Sequence, residues 1–91
     1  MLTWDEAKRQ ANIRKHGIDF QDCDVLFDFP VLVEEDMRDD YGEQRLNAIG
    51  FLRGLLVHLT YVDATDSLHV ISLRRATKDE AKRYRKTLSH D

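Results

Sequence analysis

The sequence places two adjacent arginines, Arg74 and Arg75, where an apolar run with strand-like composition passes directly into the start of a helix. A guanidinium group is planar and permanently charged, so it can donate two parallel hydrogen bonds to an oxyanion such as phosphate. His58 and His69 precede this corner, and histidine is the side chain that exchanges protons near neutral pH. Two histidines without a third ligand indicate a metal site only weakly. The pattern therefore favours anion binding and predicts no metal or cofactor.

Charge is distributed unevenly along the chain. The net charge is -3, yet residues 67–86 carry seven cationic side chains against two carboxylates, whereas residues 18–66 carry twelve carboxylates against three arginines. A basic cluster of this kind suits a polyanion. A solvated helix face has the same composition, and the sequence favours the two interpretations about equally.

Length and composition predict a single folded domain over residues 1–91. With 42% hydrophobic and 34% charged residues, the chain resembles ordinary folded proteins and can build one modest core. Cys23 is the only cysteine, which excludes an internal disulfide. Together with the lack of a recognisable signal peptide or membrane-spanning run, this predicts a cytoplasmic protein.

Helical patterns occur near both ends of the chain and predict helices at residues 3–15, 19–27 and 77–88. The first has Thr3 or Asp5 as its N-cap and Gly17 where a left-handed C-cap is expected. The last begins with a capping box formed by Thr77 and Glu80. Between the second and the last helix, apolar residues recur at every second position, which is typical of strands. This pattern predicts strands at residues 31–36, 43–52, 55–63 and 68–74. The turns are predicted at residues 39–42, 53–54 and 63–66. The expected fold is α+β, with two N-terminal helices, a four-stranded mainly antiparallel sheet and a C-terminal helix.

The turn lengths predict how the strands pair and which side chains share a face. A two-residue turn at residues 53–54 pairs Ala48 with Leu59, and a four-residue connection pairs Leu59 with Val70. One face then forms the core. The polar end of the opposite face gathers four side chains: Arg45, Asn47, Thr60 and His69. Arg75 is expected just beyond the apolar end of that face and Arg74 on the helix-covered side, anchoring an acidic group. Strand rise separates Arg45 from Arg75 by about 20 Å, a span that one strand of RNA can bridge.

Three blocks of the sequence resemble the BrnT family, the toxin components of type II toxin-antitoxin systems. The blocks are WDEAKRQANIRKHGIDF near the N-terminus, YGEQR at residues 41–45, and ISLRRATKDE followed by Tyr84. They occur in the family's order and cover nearly the whole chain. The resemblance implies a RelE-like fold and a ribonuclease that inhibits translation. It also implies a BrnA-like antitoxin with a ribbon-helix-helix part, in a complex of two copies each that contacts operator DNA only through the antitoxin and represses its own promoter.

The resemblance carries over position by position. The matching residues are Trp4, Asp5, Lys8, Asn12, Lys15, His16, Gly17, Gly42, Glu43, Arg45, Ser72, Arg74, Arg75, Ala76, Thr77 and Glu80. Two positions depart from the family pattern: His69 stands where the family usually has Arg, and Leu73 where it usually has Ala. Histidine in place of arginine keeps a hydrogen-bond donor but loses the constant charge.

Cleavage of RNA through its own 2'-hydroxyl needs a base, a cation for the pentavalent phosphorane and an acid for the leaving oxygen, and it needs no metal. We expect Arg45, His69 and Arg75 to be the catalytic residues, with Arg45 on the phosphate and His69 as acid or base. The expected RNA-binding residues are Lys8, Lys15, His16, Asn47, Arg74 and Tyr84. The alternatives are a salt bridge at Arg45, a structural role for His69, solvation alone for the two lysines, a helix-capping role for His16 and packing of Tyr84 against the sheet. For the whole protein, one alternative is a small metal-dependent hydrolase, which only the paired histidines favour. The other is a non-catalytic RelE-like module that acts only within an autorepressing complex. The acidic net charge favours that alternative, because affinity for phosphate scales with cationic contacts.

Overall fold

The computed structural model describes residues 1–38, 40 and 42–88. The helices are α1 (Glu6–His16), a 3-10 helix (Phe20–Asp28) and α2 (Lys78–Leu88). The strands are β1 (Leu2–Thr3), β2 (Leu32–Glu35), β3 (Leu46–Leu52), β4 (Leu55–Asp63) and β5 (Leu68–Arg75). The turn predicted at residues 39–42 includes Asp39 and Tyr41, which lie outside the described residues. No helix among the described residues is long and apolar enough to cross a bilayer.

Within the described residues, five strands form one mixed sheet in the order β1-β5-β4-β3-β2. The predicted four-stranded, mainly antiparallel sheet is therefore wrong, because β1 adds a short parallel strand in which Leu2 pairs with Leu68 and Thr3 with His69. The prediction assigned Thr3 to the first helix. Of the two predicted N-caps, Asp5 is confirmed, since its carboxylate accepts hydrogen bonds from the backbone N–H groups of Ala7 and Lys8. The residues before Asp5 are then free to pair with the edge of β5.

The second N-terminal helix is a 3-10 helix. Its buried side chains, Phe20, Cys23 and Leu26, are three residues apart, which places them on one face of a helix with three residues per turn. Aspartates separate them, and aspartate competes with the α-helical backbone for hydrogen bonds. Asp19 caps the segment by accepting the N–H of Gln21. The short repeat of apolar residues, rather than helix propensity, therefore decides the geometry here.

The predicted pairing of β3 with β4 is confirmed, since Ala48 pairs with Leu59 and Leu52 with Leu55. The predicted pairing of β4 with β5 is wrong: Leu59 pairs with Leu73 rather than Val70. A bulge shifts the register opposite the step from Thr60 to Tyr61. The bulge leaves Ile71 as an extra residue and turns both Val70 and Leu73 into the core, where they are 1% and 0% exposed.

The sheet has two faces with different covers. The face that carries Leu59 packs on α1 and the 3-10 helix, and we call it the core face. The face that carries His58 packs on α2, and we call it the α2 face. On the core side, the buried Asn12 amide donates to the carbonyls of Ile18 and Leu73 and accepts the N–H of Leu73. Asn12 thus continues the edge pairing that β1 begins and protects the exposed edge of β5.

Candidate functional site

Two cross-strand rows on the α2 face bring polar side chains together. Residues that pair directly across strands share a face, so each row is set by the register. The first row is Arg74, His58, Ile49 and Leu32, and the second is Ser72, Thr60, Asn47 and Glu34. Two arginines, Arg38 and Arg45, lie beyond the second row, next to the start of β3. This part of the sheet therefore carries cationic and hydrogen-bonding groups next to the apolar Ile49 and Leu32.

Arg74 is held by the first turn of α2. Its guanidinium donates to both carboxylate oxygens of Glu80, with distances of 2.8 Å from Nη1 to Oε1 and 2.9 Å from Nη2 to Oε2. Glu80 also accepts the N–H of Thr77, and Thr77 Oγ1 accepts the N–H of Glu80, so the predicted capping box is confirmed. The hydrogen bonds from Arg74 are the main reason that the pKa of Glu80 falls from 4.5 to about 2. Glu80 is therefore a carboxylate at any physiological pH and fixes Arg74 in position.

His58 lies beneath this ion pair and is buried. Its Nε2 is 3.6 Å from Glu80 Oε2, and its Nδ1 has no hydrogen-bond partner among the described residues. Burial lowers the pKa of His58, and the positive charges of Arg74 and Arg38 lower it further, while Glu80 opposes them. His58 is therefore neutral at physiological pH.

The polar end of the α2 face is built around Asn47 and Arg45. Thr60 Oγ1 donates to Asn47 Oδ1 at 2.8 Å, which directs the Asn47 amide and leaves its N–H groups as donors. Arg45 directly precedes β3, and its Nε lies 3.7 Å from Glu43 Oε1, with about a quarter of the side chain exposed. A contact of this length with an exposed carboxylate contributes little to stability. The contact with Glu43 therefore does little to hold the Arg45 side chain.

A second arginine at this end is neutralised by a buried acid. Arg38 donates through Nε and Nη2 to the two carboxylate oxygens of Asp36, at 2.7 Å and 2.6 Å. The Asp36 side chain is 0% exposed, whereas that of Arg38 is 64% exposed. The backbone N–H of Asp36 donates to the carbonyl of Arg45, which ties the two segments together. No motif in the sequence marks Asp36 or Arg38 as functional residues, and no spacing rule indicates their pairing.

His69 lies on the α2 face at the β1 side of the polar end. Its Nδ1 is 2.8 Å from Thr3 Oγ1, so its Nε2 is the ring atom that remains for another group. His69 pairs with Val62, and Arg45 lies opposite Val62 in the continuation of the β3–β4 register. Two strand spacings separate the backbones of Arg45 and His69 by about 10 Å. Long side chains on one face can reach a common ligand across that distance.

Arg75 does not join Arg45 and His69, so the predicted grouping of these three residues on one face is wrong. Because of the bulge at Ile71, Arg75 pairs with Val57 and points to the core side, while Arg74 points to the α2 side. The predicted orientations of Arg74 and Arg75 are thus reversed. Arg74 does anchor an acidic group, as expected, but that group is Glu80 on α2.

The other predicted RNA-binding residues lie on different elements. Lys8 and Lys15 are exposed on α1, and His16 is half-buried in the last turn of α1, before Gly17, whose φ is 71°. This helix covers the core face, on the other side of the sheet from Arg45. Tyr84 is buried: its hydroxyl donates to the Pro30 carbonyl at 2.9 Å, as the packing alternative expected. The structure therefore groups Asn47 with Arg45 and His69, and places the remaining residues apart from them.

Among the described residues, no group of three or more His, Cys, Asp or Glu side chains is placed to hold a metal ion. The polar end itself offers three kinds of side chain that can act on a phosphate. A guanidinium can bind and stabilise an anionic phosphate, an amide can donate to a phosphate oxygen, and an imidazole can transfer a proton. These three groups are Arg45, Asn47 and His69. The correctly predicted β3–β4 register accounts for Arg45 and Asn47 sharing this face, whereas His69 was expected on this face from a β4–β5 register that is wrong.

Comparison with known proteins bears on the same residues. A family model described as "Ribonuclease toxin, BrnT, of type II toxin-antitoxin system" matches residues 4–80. A comparison with curated proteins gives no significant match. The matched segment runs from the residue before the α1 N-cap to the first turn of α2 and includes Arg45, His69 and Arg74. Since it covers most of the chain, the protein belongs to the BrnT family of ribonuclease toxins of type II toxin-antitoxin systems.

Proposed function

We propose that this chain is a metal-independent endoribonuclease that inhibits translation and cuts RNA at the polar end of the α2 face. The observation that carries the proposal is the placement of Arg45, Asn47 and His69 on one side of the sheet, within about two strand spacings of each other. Family membership supports the reaction class, and the side chains support the mechanism.

In this mechanism, Arg45 and Asn47 bind the phosphate that is attacked. The guanidinium stabilises the charge that builds up on the phosphorane oxygens. Such electrostatic stabilisation by fixed donors is usually the largest single contribution to an enzyme's rate enhancement. The Nε2 atom of His69 exchanges a proton with the 2'-hydroxyl or with the leaving 5' oxygen, while Thr3 holds the ring through Nδ1. The bond from phosphorus to the 5' oxygen breaks as the bond from the 2' oxygen forms, so no external nucleophile is needed.

Variants of the proposed site test the mechanism directly. We expect Arg45→Ala and His69→Ala to lower the rate of RNA cleavage by about 100-fold or more, because each removes a transition-state contact. Thermal unfolding should stay close to that of the wild type, since both side chains are at least partly exposed. Arg14→Ala, an exposed arginine on α1, is the matched control and should leave cleavage unchanged.

The reactions should be run with purified protein in EDTA. Cleavage that stops with EDTA and returns with zinc would contradict a metal-independent mechanism. Full activity in both Arg45→Ala and His69→Ala would exclude the polar end of the α2 face as the site.

We also propose that the antitoxin is a BrnA-like ribbon-helix-helix protein and that the two proteins form a cytoplasmic complex of two copies each. Membership of a type II system supports a protein antitoxin. Expression of this chain alone should arrest growth, and co-expression of the antitoxin should restore it. The non-catalytic alternative, which the net charge of -3 favours, predicts normal growth with soluble protein and intact RNA.

A further inference from the structure

An apolar groove lies at the end of the α2 face that is farther from Arg45. It has a volume of about 410 Å³ and is lined by Phe29, Pro30, Phe51, Arg53, Gly54 and Tyr84. Phe29 is 61% exposed and Phe51 is 44% exposed, so two of the rings that line the groove are open to solvent. Burying these rings against a partner would be favourable, because it would remove apolar surface from water. Exposed apolar surface that is contiguous is typical of interaction sites.

Part of the groove wall is held by contacts within the protein. The Phe51 ring meets the buried Tyr84 ring edge to face, with centroids 5.5 Å apart. The Tyr84 hydroxyl holds the Pro30 carbonyl, and the tight turn between β3 and β4 has positive φ at both Arg53 (51°) and Gly54 (82°). A preformed groove binds a partner without first losing conformational entropy, which favours tight association.

Charge beside the groove indicates the chemistry of its occupant. On α2, the exposed Arg83 and Arg85 flank Tyr84 in the sequence, and Arg83 forms an ion pair of 3.0 Å with Glu34. Arg53 is 72% exposed at the opposite rim, in an ion pair of 3.2 Å with Asp22. Ion pairs at an exposed surface are weak, so the carboxylates of a partner can replace those that hold Arg53 and Arg83. An apolar groove beside such arginines fits an amphipathic segment that carries large apolar residues on one side and carboxylates on the other.

We propose that this groove is the docking site for an acidic, amphipathic segment of the antitoxin, which inserts an apolar side chain between Phe29 and Phe51. The inference rests on the proposed toxin function, because the antitoxin is the protein partner that such a toxin requires. Arg45, which directly precedes β3, and Phe51 are six residues apart, which corresponds to about 20 Å of extended chain. The antitoxin is thus anchored at a place distinct from the cleavage residues, and binding can be lost while cleavage is kept.

The test uses groove variants of the full chain. The probe is the purified product of the neighbouring gene that restores growth to cells expressing this chain. We expect Phe29→Asp and Phe51→Asp to raise the Kd for this protein by about 100-fold or more, because aromatic anchors at an interface dominate its affinity. Both variants should still cleave RNA and arrest growth, now without rescue. Met37→Asp, at a residue that is 77% exposed and does not line the groove, is the matched control and should bind like the wild type.

Phe51 packs against the buried Tyr84 ring, so Phe51→Asp can prevent folding. Circular dichroism of the variant measures whether it is folded. Phe29→Asp and Arg53→Glu then decide the question, since both side chains are mostly exposed. Unchanged Kd values in these two variants would overturn the proposal. A wild-type dimer in sedimentation that Phe29→Asp dissociates would also overturn it, because the occupant would then be a second copy of this chain. A loss of RNA affinity in the same variants would overturn it as well. A chain that binds the probe through the groove but never cleaves RNA would refute the proposed function and leave the docking site standing.

Discussion

Glu80 is the residue whose replacement tests the organisation of the α2 face most directly. It accepts two hydrogen bonds from Arg74 and the capping bond from Thr77, and it faces His58. Glu80→Gln keeps the size of the side chain and one carbonyl oxygen for the cap. The substitution therefore removes the charge while preserving most of the packing between α2 and the sheet.

The expected loss of stability follows from the pKa of Glu80. Its pKa falls from 4.5 to about 2 on folding, chiefly because Arg74 donates to the carboxylate. A difference of this size corresponds to about 2 to 3 kcal/mol, once solvent screening of the partly exposed Arg74 is allowed for. Because the folded-state pKa is lowered, this stabilisation is fully present above pH 4.5 and is lost as the pH falls towards 2.

Urea unfolding followed by circular dichroism measures the effect. The wild type should exceed Glu80→Gln by about 2 to 3 kcal/mol at pH 7 and by only about 1 kcal/mol at pH 3. Glu6→Gln is the matched control: Glu6 also bonds to an arginine, Arg9, but is exposed, so its replacement should leave the midpoint unchanged within error. An equal difference at both pH values would refute the reasoning, since the contact would then not depend on the charge of Glu80.

Three further predictions concern the core side. Asn12→Ala should lower the free energy of unfolding by about 1 to 3 kcal/mol in urea titrations, because the buried N–H and C=O of Leu73 lose their partner. Gly50→Ala should be destabilising by about 1 to 3 kcal/mol, because a Cβ at residue 50 would lie 2.7 Å from Val31 Cγ1. Burial raises the pKa of the Cys23 thiol to about 12, so iodoacetamide should leave the folded protein unmodified at pH 8 and react with it in urea.

Each of these predictions has an outcome that contradicts it. Wild-type stability in Asn12→Ala would mean that water replaces the amide on β5. A stable Gly50→Ala would show that Val31 moves aside at little cost. Rapid alkylation of Cys23 in the native state would show that the 3-10 helix opens far more often than global unfolding permits.

Local patterns in the sequence determined a large part of this fold. The change of apolar period from helical to alternating located the strands, and the two-residue turn at Arg53 and Gly54 fixed the pairing of β3 with β4. The Thr77–Glu80 capping box marked the beginning of α2. These features depend on residues close together in the chain, and their rules can be read directly from the sequence. The pairing of β3 with β4 also determined that Arg45 and Asn47 share one face of the sheet.

Tertiary structure decided the features that depend on contacts between distant segments. The bulge at Ile71 forms because the core accepts both Val70 and Leu73, and an odd spacing of three cannot bury both on a regular strand. Strand β1 forms because Leu2 and Thr3 pair with the backbone at the edge of β5. These partners are 66 residues apart in the chain, so no local pattern indicates the pairing. The bulge exchanged the directions of Arg74 and Arg75, and β1 brought Thr3 to His69. The sequence alone therefore identified the chemistry of the arginines and histidines, whereas long-range packing determined which of them face the same side of the sheet.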